Sequence, residues 1–110
     1  MTGIVRGENV LIRRQVKDAF GADLPLINLS SIEVQLREGE NLLFSYSYPS
    51  TDLRVGTASN EFELEIKSGI SAKLPVGNIT MRTIAKQIDA AYDDENLLID
   101  IIDEIVLEVA

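Results

Sequence analysis

The sequence predicts an all-β protein, a sandwich of two antiparallel sheets built from about seven short strands. Two observations predict this class. Apolar and polar residues alternate with a period of two in several segments, which is the pattern of a strand with one buried face. Clusters of turn-forming residues separate these segments at intervals of about eight to twelve residues. A closed β-barrel is the alternative that the same pattern allows.

Length and composition predict a single domain with one core. The chain has 110 residues, of which 45% are hydrophobic. A domain of this size is common, and it buries roughly two-thirds of the surface that its unfolded chain exposes. We expect residues 1–7 to form an N-terminal arm and residues 8–110 to form the sandwich domain.

A β-hairpin is predicted in the middle of the chain. In residues 31–37 the apolar side chains alternate with charged and polar ones, and residues 42–48 alternate in the same way. The link over residues 38–41 contains Gly39, so the two strands are joined by a tight turn.

The cleanest strand covers residues 61–67. Phe62, Leu64 and Ile66 alternate with four charged residues, which predicts that the three apolar side chains point into the core. Residues 68–75 follow as a compact crossover.

The N-terminal third is predicted to contain one strand, residues 8–17, followed by a loop over residues 18–23. Residues 24–26 are expected to continue as an edge segment, because Pro25 has no N–H to donate to a central ladder. The two faces of the first strand are Val10, Ile12 and Val16 on one side and Leu11, Arg13 and Gln15 on the other.

The pattern is less uniform in the rest of the chain. Residues 53–55 are predicted to form a short strand and residues 79–88 a longer one. The final strand is predicted over residues 104–109. Residues 97–103 fit either a strand or a short helical turn, because their apolar residues also match a helical spacing.

The residue inventory argues against catalysis. The chain contains no cysteine and no histidine, so thiol nucleophiles, His-based triads and the commonest metal ligand are excluded. Glu61, Glu63 and Glu65 lie on the polar half of one strand, where an alternating pattern places solvated groups. We therefore expect no enzyme activity, no cofactor and no dedicated metal site. No apolar run is long enough for a membrane-spanning helix.

The negative charge lies at one end of the chain. The formal net charge is −8, from 18 acidic and 10 basic residues. Residues 1–88 are balanced, and residues 89–110 carry eight acids and no base. Such a segment repels phosphate backbones, so nucleic acid is not an expected partner. The acids are Asp89, Asp93, Asp94, Glu95, Asp100, Asp103, Glu104 and Glu108.

Three groups of residues are candidates for contacting a protein partner. In the N-terminal arm, Ile4 and Val5 are apolar anchors beside Arg6, and such an arm is suited to adding a strand to a neighbour's sheet. Arg13 and Arg14 are an adjacent basic pair on the first strand.

The acidic loop is the third candidate, and it contains Asp93, Asp94 and Glu95. It fits a solvated face or a docking surface for a basic partner. Its carboxylates are also suitable calcium ligands, although the spacing is not that of an EF-hand.

The order of strands and turns resembles a known family. The first strand at Val10–Val16 is followed by the turn at residues 18–24, the strands around Val34 and Phe62, and a crossover that ends at residues 74–78. This pattern resembles the immunoglobulin-like β-sandwich domains of tailed-bacteriophage structural proteins, such as the N-terminal domain of baseplate upper proteins and small capsid auxiliary (decoration) proteins.

The resemblance implies a non-enzymatic virion protein, assembled in the host cytoplasm. It would be a capsid decoration protein or a small tail or baseplate connector that binds other virion proteins or further copies of itself. Bacterial surface immunoglobulin-like domains share the pattern. An adhesion or carbohydrate-binding module is therefore the alternative.

Overall fold

The computed structural model describes residues 2–17, 20–88 and 98–110. In this part of the chain, eight strands form one sheet of five strands and one of three. Two short helical turns lie between strands: a 3-10 turn at Leu26–Asn28 and the four-residue helix α1 at Ser68–Ser71. The strands are β1 Thr2–Ile4, β2 Val10–Gln15, β3 Ser31–Glu38, β4 Asn41–Tyr48, β5 Leu53–Val55, β6 Glu61–Ile66, β7 Gly77–Ile88 and β8 Leu98–Val109.

The strand order is that of an immunoglobulin-like sandwich. The larger sheet has the order β1-β8-β7-β3-β4 and the smaller one β2-β6-β5. If β2 to β8 take the letters B, C, C′, D, E, F and G, the sheets read G-F-C-C′ and B-E-D, the arrangement of immunoglobulin domains. The predicted sandwich is therefore confirmed. All strand pairs are antiparallel except β1 with β8, which is parallel.

The predicted hairpin is present as β3 and β4, with Glu38 opposite Asn41. Gly39 has a φ of +59°, a left-handed value that two-residue hairpin turns require and that glycine adopts without steric cost. The register shifts once, between Leu36 and Arg37, which marks a β-bulge.

The core lies between the two sheets. Phe62, Leu64 and Ile66 on β6 are each at most 1% exposed, as the alternation predicts. They pack in one cluster with apolar residues from the inner face of the larger sheet. These include Ile32, Val34, Leu36, Ile79, Met81, Leu107 and Val109. A single cluster that draws on both sheets is the core of one domain.

The N-terminal arm predicted for residues 1–7 is wrong for the part that the structure describes. Residues 2–4 form β1, which pairs with Leu107–Val109 of β8. Ile4 is 1% exposed and belongs to the core. Three residues are too few to show a period-two pattern, so the sequence does not distinguish this docked strand from a free terminus.

Two further predictions are corrected. The final strand begins at Leu98 and not at residue 104, so the helical alternative for residues 98–103 is wrong; residue 97 lies outside the described residues. Residues 24–26 do not continue as a strand, because Pro25 leads into the 3-10 turn at Leu26–Asn28. Leu24 and Leu26 are nevertheless buried in the core.

Candidate interaction surface

The N-terminal residues proposed as a partner-binding arm make contacts within the domain. The Arg6 guanidinium donates to the Ala72 carbonyl at 2.8 Å, and its backbone N–H donates to Ala110 at 3.3 Å. Of the two proposed apolar anchors, Ile4 is buried, and Val5 is 53% exposed. The described part of the segment is therefore held against the fold, and Val5 is the anchor that offers apolar surface.

Arg13 and Arg14 face opposite sides of β2, as the alternation of a strand requires. Arg13 lies on the outer face of the smaller sheet, 3.5 Å from Glu63. Arg54 contacts the same Glu63 at 3.0 Å and also Glu65 at 3.1 Å. These outward carboxylates are therefore members of a surface ion-pair network, which is the solvated arrangement that the pattern predicts.

Arg14 points towards the interior and joins the two sheets. Its guanidinium donates to Oδ2 of Asp103 on β8 at 2.8 Å. Thr83 is the residue opposite Asp103 in the β7–β8 ladder. Its Oγ1 atom is buried without a hydrogen-bond partner, and so is Nε of Arg14. An ion pair thus closes one side of the sandwich between β2 and β8.

Tyr46 lies on the inner face of β4 and packs, partly buried, against the core. Its hydroxyl is buried and has no hydrogen-bond partner. Burial, and secondarily the negative charge of Asp52, raise the pKa of Tyr46 to about 12. A hydroxyl in that setting is held in its neutral form.

The outer face of the five-stranded sheet is partly apolar near β8. Ile102 is 57% and Val106 is 45% exposed, and Ile102 is opposite Ile84 on β7. Glu104 lies between the two exposed residues and is bound by Arg82 at 2.8 Å. Two exposed apolar side chains therefore lie on either side of an ion pair on this face.

The same strand leaves part of the sheet's edge open. β1 pairs only with residues 107–109 of β8, whereas β7 pairs with β8 along all twelve residues from Leu98 to Val109. Within the described residues, no strand pairs with residues 98–106 on the side away from β7. The sequence reasoning missed this edge because it predicted a strand of only six residues. In residues 98–103 apolar residues occur at both odd and even positions, so no period of two was available as a signal.

Asp93, Asp94 and Glu95 lie outside the described residues, so their predicted docking or calcium role stays a prediction. Across residues 2–17, 20–88 and 98–110, no cluster of three or more acidic side chains has the arrangement of a metal site. No helix in this described part has the length and apolar character needed to cross a membrane.

Comparison with known proteins adds no family assignment. The chain matches no protein-family model and no curated protein sequence.

Proposed function

We propose that the chain is a non-enzymatic structural protein of a tailed-bacteriophage virion, a capsid decoration protein or a small tail or baseplate connector. It binds other virion proteins through the five-stranded sheet. The observation that carries the proposal is the surface along β8, where Ile102 and Val106 are exposed beside the Arg82–Glu104 ion pair.

The physical argument is one of complementary surfaces. Exposed apolar side chains gain free energy when a partner covers them, at about 25 cal/mol per Å² of apolar area. The ion pairs around them define which partners fit. The outer face of the smaller sheet carries the ion pairs of Arg13 and Arg54 as well as the exposed side chain of Leu11.

The assignment to a virion is supported by the pattern of strands and turns and by the immunoglobulin-like strand order. The resemblance to phage structural domains supplies no catalytic residues. A sequence without histidine or cysteine is compatible with that role.

Mass spectrometry of purified particles tests the proposal in the phage that encodes the chain. We expect the protein on the particles at a fixed copy number. When the gene is deleted, expression of the protein in trans should restore it to the particles. If the protein is recovered only from the soluble lysate, the virion role is wrong. Binding to bacterial surface glycans would then support the adhesion module.

Two matched variants test the surface. Ile102→Asp places a charge on the five-stranded sheet, whereas Leu11→Asp places one on the smaller sheet at a residue that is 53% exposed. Because both side chains are similarly exposed, both variants should fold. We expect only Ile102→Asp to reduce incorporation. Equal incorporation of the two variants would place the binding surface elsewhere.

A further inference from the structure

We propose that the open edge of β8 around residues 102–106 accepts an extended, basic segment of a partner protein as an additional strand. This inference rests on the proposed function, because it names the chemistry of the partner that the virion protein binds. It differs from contact with a flat face, because the affinity would come from backbone hydrogen bonds along the edge.

The backbone groups that face this edge follow from the contacts of Ala110. Its N–H donates to the Ile4 carbonyl at 2.9 Å, and its carbonyl accepts from the Arg6 N–H at 3.3 Å. Ala110 therefore faces β1. Because the direction of backbone groups alternates along a strand, Ile102, Glu104 and Val106 face the same side. β1 does not reach them, so among residues 2–17, 20–88 and 98–110 no strand pairs with their N–H and C=O groups, which form the open edge.

The edge is regular and partly apolar. The β7–β8 register runs without a shift from Gly77–Val109 to Ile88–Leu98, so no bulge twists the edge away from a partner. The residues whose backbone groups face the edge also carry the exposed side chains of Ile102 and Val106. A strand added here would cover both.

The other sheet edges are less suited to accept a strand. On β4, the outward side chains Ser45 and Ser47 are polar, and the ladder to β3 contains a bulge. β5 has only three residues. On β2, the end of the edge is occupied by the bridge between Lys17 and Asp23.

Charge selects the partner. Residues 89–110 contain eight acids and no base. Arg82 contacts Glu104 through Oε1 only, and Arg14 contacts Asp103 through Oδ2 only, so each carboxylate retains an oxygen that can accept from a partner. An incoming segment with lysine or arginine between apolar residues would complement this edge.

Charge also disfavours a second copy in this position. An antiparallel pair of β8 strands related by a two-fold axis at Ile102 would put residue 100, an aspartate, opposite Glu104. An axis at Asp103 or at Glu104 would put that acid opposite itself. Like charges directly opposite each other destabilise a strand pair. Asp103 also points inward from the edge, a feature by which natural sheets resist uncontrolled pairing.

Amide hydrogen exchange followed by NMR tests the proposal on the intact chain. The probe is a capped eight-residue peptide of alternating valine and lysine at physiological salt. In the free chain, the amides of Ile102, Glu104 and Val106 should exchange faster than those of Asp103 and Ile105, which face β7. The peptide should slow exchange at the three edge amides by at least about tenfold.

Two substitutions at one position separate edge pairing from charge attraction. Glu104→Pro removes the backbone N–H that faces the open edge. Proline is tolerated at such a position of an edge strand, but it cannot donate the hydrogen bond that an added strand would need. Glu104→Ala removes the same carboxylate and keeps the N–H. We expect peptide protection of the Ile102 and Val106 amides to be lost in Glu104→Pro and retained, although weakened, in Glu104→Ala.

Three results would overturn the inference. The first is the absence of edge protection at millimolar valine–lysine peptide. The second is equal protection by a peptide in which glutamate replaces lysine. The third is protection that rises with the concentration of the chain alone, which would identify a second copy as the occupant. None of them bears on whether the protein is present on virions, so failure of the edge and failure of the virion role are distinguishable.

Discussion

Ile4 is the residue at which a single substitution best separates a docked N-terminal strand from a free arm. Its side chain is 1% exposed within the core, and its carbonyl accepts from Ala110 at 2.9 Å. Ile4→Ala deletes three carbon atoms from that core. At about 0.8 kcal/mol for each buried carbon, the lost transfer free energy is about 2.4 kcal/mol, and the residual cavity brings the expected total to about 3 kcal/mol.

That loss is large for this protein. A domain of 110 residues has a free energy of unfolding of roughly 5–15 kcal/mol. With a urea m-value of about 1.5 kcal/mol/M, a loss of about 3 kcal/mol lowers the unfolding midpoint by about 2 M. The assay is urea unfolding followed by circular dichroism, with the m-value fitted for each variant.

Val5→Ala is the matched control, because the neighbouring side chain is 53% exposed. Its effect should be within about 0.5 kcal/mol of zero. If Ile4→Ala shifted the midpoint no more than Val5→Ala, β1 would not be packed on the core. Residues 2–7 would then be the free arm that the sequence alone predicts.

Two other predictions concern stability. Leu64→Ala should lower the free energy of unfolding by about 2–5 kcal/mol, because Leu64 is fully buried on β6. Leu11→Ala on the adjacent strand β2 should have almost no effect. Similar urea midpoints for the two variants would mean that the side chains of β6 face the opposite way. The pKa of Tyr46 is raised to about 12 from an ordinary value of 10, so the fold should lose stability as the pH rises from 10 to 12, because the unfolded chain releases the hydroxyl proton first. Tyr46→Phe should therefore reduce the alkaline fall in the urea midpoint; an unchanged fall in this variant would contradict a buried, neutral Tyr46 hydroxyl.

Local patterns predicted much of this fold from the sequence. The alternation in residues 31–37, 42–48 and 61–67 corresponds to β3, β4 and β6. β3 and β6 each bury one face, and on β4 the side chains of Phe44, Tyr46 and Tyr48 pack partly buried against the core. Gly39 located the turn, since the hairpin needs a positive φ there. Two of these strands adjoin each other, so short-range information was sufficient.

Pairing between distant parts of the chain was not predictable in the same way. β1 is stabilised by residues more than one hundred positions away in the sequence, and its three residues carry no period of their own. In β8, the mixture of isoleucine, leucine and acids fits a helical spacing as well as a strand. Pairing with the whole of β7 favours the strand over the helix, and local residue propensities do not predict that pairing.

The candidate surface was partly predicted for a related reason. Charge counting located the acidic C-terminal segment but not the geometry that presents it. The sequence placed Arg13 and Arg14 on opposite faces of a strand, but it did not show which of them reaches the other sheet; Arg14 does so, at Asp103. Which residues of β8 face the open edge depends on where β1 ends, and only the three-dimensional pairing shows that.

The position of Asp103 links the fold to the proposed interaction. An inward-pointing acid on an edge strand costs free energy unless a base reaches it, and Arg14 crosses from the other sheet to do so at 2.8 Å. Both side chains remain partly exposed, at 36% for Arg14 and 47% for Asp103, so the pair itself contributes little stability. An apolar pair would close this side of the sandwich as well, but it would leave the edge open to any apolar strand, including another copy of β8. In the proposed interaction, the acid at this position would favour a partner that brings positive charge to the edge.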